Sequence, residues 1–116
     1  MLVQLRPGIA ALAAFVISFI VYLLTMDPGL GYIDSGELAT ACSRLGIAHP
    51  TGYPLFTLIG WVFSNLPIPA SVILKLNVMT ALFTAMASGA VVLLVQEIAD
   101  NWWRVKPPRV EQNGRK

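Results

Sequence analysis

The chain has 116 residues, 56% hydrophobic and 12% charged, and its mean hydropathy is positive. Soluble domains carry roughly 25% charged residues, so this composition points to a membrane protein. The formal charge of +2 comes without a basic face interleaved with aromatics, without zinc-type spacing and without a glycine-rich phosphate loop, which argues against nucleic acid as a partner.

The first element is the uncharged run from Gly8 to Met26, preceded by Arg6. About 20 apolar residues cross a bilayer core as a helix. The run is long for a cleavable leader, and Thr25-Met26-Asp27-Pro28 lacks a small-x-small cleavage site, so a retained signal anchor is expected. Asp27-Pro28-Gly29-Leu30-Gly31 should end the helix, because proline and glycine continue it poorly.

Ser35 to Leu45 reads as a short helix with Leu38, Ala41, Cys42 and Leu45 on one face. Gly46 is placed as its C-terminal stop, with Ile47 folding back on the last turn. Cys42 is the one cysteine and cannot form an internal disulfide. Pro54 suits the first turn of a helix, and the apolar run Leu55–Phe63 follows it until Asn65 and Pro67 close it. That segment is too short to span, so an interfacial or re-entrant helix is expected, with Trp61 near the headgroups.

A second span covers Val78 to Val95 and can begin as early as Val72, with Lys75 snorkelling at its start. Ala81, Ala85 and Gly89 place small residues on one side. They either admit a close helix neighbour or are plain alanine-rich filler. Taken with their flanks, the spans fall at about 8–26 and 75–96 within a 1–100 membrane unit, and the loop at 27–71. A basic tail, 101–116, opens with Trp102-Trp103 and ends in a polar stretch expected to be disordered.

Five of the eight Lys/Arg residues follow the second span, Arg6 precedes the first, and the loop holds only Arg44. Cytoplasmic flanks collect Lys and Arg, so both termini are expected in the cytoplasm and the loop outside, in a bacterial-type inner membrane or its equivalent.

That loop carries the chemistry. Asp34-Ser35-Gly36-Glu37 reads in two ways. Asp at an N-cap with Glu three residues on resembles a capping box. Alternatively, a carboxylate at the membrane surface could take a proton from an acceptor hydroxyl or hold a cation. His49, before Pro50, is either a hydrogen-bonded structural residue or a donor to phosphate. Pro50 and Pro54 stiffen the segment, and Gly52 permits a turn.

The box Asp34-Ser35-Gly36-Glu37, the short helix and His49-Pro50-Thr51-Gly52-Tyr53-Pro54-Leu55-Phe56 together resemble the N-terminal signature of the transmembrane protein O-mannosyltransferase-like family, long labelled a domain of unknown function. The resemblance covers roughly 15–95. It implies a GT-C glycosyltransferase, a multi-helix membrane enzyme that moves a sugar from a polyprenyl-phosphate donor to a hydroxyl. By that resemblance Asp34 is the candidate catalytic base and Glu37 the second acid, with His49 and Tyr53 near the lipid phosphate and Arg44 a further substrate-binding candidate; no metal site is assigned.

The fold expected is therefore an all-α membrane protein, the N-terminal piece of such an enzyme. Its partners would be the lipid bilayer and the remaining transmembrane helices of a longer protein or partner subunit. The chain departs from the family in length, which a truncated gene, a fragment or a split subunit would explain, and alone it is expected to be inactive. The rival reading is a non-catalytic two-span membrane interaction protein whose small-residue face binds a partner.

Overall fold

A computed structural model describes residues 6–29, 31, 34–50 and 52–104. Four helices follow in order: α1 (Pro7–Thr25), α2 (Ser35–Arg44), α3 (Pro54–Ser64) and α4 (Val72–Arg104), with no strand among the described residues. Helices α1 and α4 are long and apolar enough to cross a membrane, and most of their surface is uncovered by the rest of the chain. The protein is an all-α membrane protein.

Pro7 opens α1 at its first turn, and the helix ends as the Met26 N–H reaches Tyr22 O at 2.8 Å. Past it, the Gly29 N–H donates to Asp27 Oδ1 at 2.8 Å. This side-chain turn explains how Asp27-Pro28-Gly29 reverses the chain.

Helix α4 begins at Val72, the earliest start expected for the second span, and runs beyond its expected C-terminal end. Ser71 sits just before it, and its Oγ accepts the Leu74 N–H at 3.2 Å, an N-cap the hydrophobic pattern does not reveal. From Val72 to Arg104 the sequence has no proline, so nothing local stops the helix through the tryptophans. The tail from 105 onward lies outside the described residues.

The small residues of α4 are not filler. Ala81 and Ala85 are buried, and a Cβ added at Gly89 would meet Ala11 O at 3.1 Å and Phe15 Cβ at 3.5 Å. The neighbour they admit is α1 of the same chain, in the close backbone packing that small residues allow between membrane helices.

Helices α2 and α3 pack on the start of α4 around Cys42, Leu76 and Met79, with Ala39, Phe56, Ile59 and Phe63 around them. Gly60 makes this junction possible. A Cβ there would lie 2.9 Å from Cys42 Cβ and 3.2 Å from Leu76 Cδ2, so the mid-helix glycine is tolerated because only hydrogen fits.

Lys75, at the entry of the span, finds partners within the chain. Its Nζ donates to Ser64 O at 3.2 Å and Leu66 O at 2.7 Å. The carbonyls at the end of α3 have no helical partners and carry the negative end of its dipole, so they attract the ammonium.

The end of α2 also differs from expectation. Leu45, not Gly46, takes the left-handed conformation (φ 53°), and the Gly46 N–H closes on Ala41 O at 2.8 Å. That 6→1 bond makes the glycine the second residue of a Schellman turn rather than its left-handed one. Ile47 is 93% exposed and does not pack back on the last turn.

Candidate functional site

Asp34 occupies the N-cap position of α2, but no side-chain cap bond forms. Its backbone (φ −89°, ψ 1°) is not the extended conformation that lets an N-cap oxygen reach the first-turn N–H groups. The capping-box reading therefore fails at both members. Glu37, one turn into the helix, reaches across to the loop that follows α2 instead of back to the cap.

There it holds His49 at two points. Glu37 Oε1 accepts the His49 backbone N–H at 2.7 Å, and Oε2 lies 3.2 Å from Nδ1 of the ring. The far ring nitrogen, Nε2, faces Asp34 Oδ2 at 4.0 Å. The His49 backbone bond, with the ring bond behind it, holds the Glu37 carboxyl below its ordinary value of 4.5. All three side chains remain partly open to solvent: 52% for Asp34, 48% for Glu37 and 37% for His49.

The loop presents the imidazole by an unusual backbone. The Gly52 N–H closes a turn on His49 O at 2.8 Å, and Gly52 (φ 79°) and Tyr53 (φ 43°) are then both left-handed. For tyrosine that conformation costs on the order of 1–3 kcal/mol. In return its ring stands edge-on to His49, with centroids 5.8 Å apart at 74°, and the Tyr53 carbonyl starts α3 by accepting the Thr57 N–H at 2.9 Å.

Asp34, Glu37, His49 and Tyr53 thus come together, and Arg44 does not. Arg44 lies in the last turn of α2, sharing with Glu37 an open groove of about 410 Å³, and makes no ion pair among the described residues. One ligand atom each from Asp34, Glu37 and His49 can be chosen so that all lie within 4.8 Å of one another. The set could hold a divalent cation, in competition with the hydrogen bonds Glu37 already makes.

A neighbouring cleft was not legible in the sequence. Asn77 of α4 donates through Nδ2 to Asp27 O at 2.8 Å, and Ser35 Oγ donates to Gly31 O at 2.7 Å. Both line a cleft of about 390 Å³ between the end of α1 and α4, with Tyr22, Thr80 and Thr84 also in its wall. In sequence, Asn77 shows only as an amide beside Lys75 at the entry of the second span.

Comparison with known proteins places the chain in a family. The family model described as "Protein O-mannosyl-transferase TMEM260 N-terminal domain" matches residues 34–115. The chain is 37% identical over 92 residues to "Protein O-mannosyl-transferase tmem260" of Dictyostelium discoideum, covering 77% of this chain and 11% of that protein. It is 41% identical over 85 residues to "Protein O-mannosyl-transferase TMEM260" of Mus musculus, covering 73% of this chain and 12% of that one. The matched stretch is thus about a ninth of the length of these relatives. No solved structure matches the chain.

Proposed function

Because the chain belongs to the protein O-mannosyl-transferase TMEM260 N-terminal domain family, we propose that it forms the catalytic corner of a polytopic membrane glycosyltransferase. The reaction is transfer of a mannose-like sugar from a polyprenyl-phosphate donor to a hydroxyl acceptor. The observation that carries this reading is the state of Asp34: its carboxylate is released from any cap bond, half-exposed, and faces His49 Nε2 across 4.0 Å.

The step is an inverting displacement. The acceptor oxygen forms a bond to the anomeric carbon as its proton passes to Asp34. The bond from that carbon to the phosphate oxygen breaks, and its electron pair leaves with polyprenyl phosphate. Tyr53, whose ring stands against His49, serves the phosphate side; Arg44, apart from the cluster in the last turn of α2, is left without a role in the step. The other walls of the site come from further helices of a longer protein or partner subunit, because polar substrate groups at the membrane need protein or water around them. The loop faces away from the cytoplasm, and both termini lie within it. The burial of Ala81, Ala85 and Gly89 against α1 favours this reading over the two-span interaction protein, whose partner-binding face is already occupied.

The test is Asp34→Asn in a full-length homologue at the matching position. An amide keeps the shape and cannot take a proton, so transfer should fall by about 10²–10⁴-fold, the worth of a positioned general base. Near-normal transfer would remove Asp34 from the chemistry.

A further inference from the structure

We propose that Glu37 is the positioning residue of the site: it holds His49 as the Nδ1–H tautomer and leaves Nε2 as a proton acceptor turned toward Asp34. The inference rests on the transferase reading for its purpose, but its geometry stands apart from it.

The argument begins with what a carboxylate can do. An ionised carboxylate only accepts hydrogen bonds. One oxygen of Glu37 takes the His49 backbone N–H at 2.7 Å, which fixes how the carboxylate is turned. The other oxygen, 3.2 Å from Nδ1, then requires a proton on that nitrogen. In a neutral imidazole with Nδ1 protonated, Nε2 carries a lone pair. That lone pair faces Asp34 Oδ2 at 4.0 Å, so two acceptors confront one another with no proton between them.

Such a gap suits a group that brings a proton, and the acceptor hydroxyl does so. Once Asp34 has taken that proton, its carboxyl can pass it to Nε2, because an imidazole is intrinsically the stronger base. The move needs about 1 Å of closure from 4.0 Å to hydrogen-bond distance, which a half-exposed aspartate can supply by rotation. Asp34 returns to the carboxylate, and the imidazolium sits between two carboxylates until it loses the proton to water. Glu37 touches no substrate in this scheme.

The substitution that isolates the role is Glu37→Gln. Glutamine can still accept the His49 backbone N–H through its carbonyl oxygen. Its amide group, placed against Nδ1, then donates instead of accepting, and the imidazole proton is driven to Nε2. His49 is the one histidine of the chain, so a histidine-labelled sample in detergent micelles gives a single pair of ring ¹⁵N resonances. At alkaline pH, the wild-type chain should show a protonated Nδ1 and a bare Nε2, and Glu37→Gln should invert the pair. Circular dichroism of the variant should keep the wild-type helix content.

A wild-type chain with its proton mainly on Nε2 overturns the proposal, as does an unchanged tautomer in the folded Glu37→Gln chain. Neither readout needs sugar transfer, so loss of the tautomer and failure of the Asp34→Asn assay are separate outcomes. In the full-length homologue the expected signature of Glu37→Gln is a lower kcat at nearly constant KM. A raised KM with kcat intact would instead make Glu37 a binding residue and overturn the positioning role.

Discussion

Glu37 illustrates how one side chain can carry both loop anchoring and site geometry. Because its carboxyl is held below 4.5 in the folded chain, it binds protons more weakly there than when unfolded. The stabilisation it gives is present at pH above 4.5 and is lost as pH falls through the lowered folded value. Acidification should therefore loosen the His49 loop first. The protection of the His49 amide against exchange, taken relative to the intrinsic rate at each pH, should fall over that window in the wild type and show no such step in Glu37→Gln. Asp34 gives the complementary expectation. With no cap bond to lose, Asp34→Ala should escape the cost of about 0.5–2 kcal/mol that attends loss of a true cap. Thermal melting of the Ala variant near the wild type would bear that out, and a clear drop would restore the cap.

Between elements, the decisive contacts involve the smallest side chains. Gly60→Ala puts a methyl against Cys42 and Leu76, and overpacking of this kind costs about 1–3 kcal/mol. Unfolding titrations should show the loss, with Cys42→Ala relieving part of it. Cys42 itself is fully buried, and burial pushes its thiol up, so a thiol reagent should leave it unmodified until the chain is denatured.

The four helices were legible because proline, glycine and apolar runs mark them, and the two motifs were legible because acid and imidazole stand out in an apolar chain. Their union was not. A Glu three residues past a helix start satisfies a capping pattern on paper, and only the path of the loop after Leu45 brings the His49 N–H into its reach. The partners of Lys75 are hidden for the same reason, since the carbonyls of Ser64 and Leu66 become neighbours only once α3 lies beside α4.

At the scale of the molecule, the orientation proposed from Lys/Arg asymmetry can be tested with Ile47, whose side chain is 93% exposed. In a Cys42→Ala background, an Ile47→Cys chain should react with an impermeant maleimide in intact cells, and an Asn113→Cys chain only after permeabilisation. The reverse pattern would invert the protein in its membrane.

The pairing of α1 with α4 also sets levels. Asn77 is tied to Asp27 at one end and Gly89 meets Ala11 further along. Beyond that crossing, α1 has four residues left before its start at Pro7, whereas α4 has fifteen before Arg104. At 1.5 Å per residue the difference is about 16 Å, more than half the thickness of the hydrocarbon core. The two helices are thus a short post and a tall one sharing a footing at the motif side. The chain leaves them at unequal heights, and α4 ends well beyond the level at which Arg6 stands.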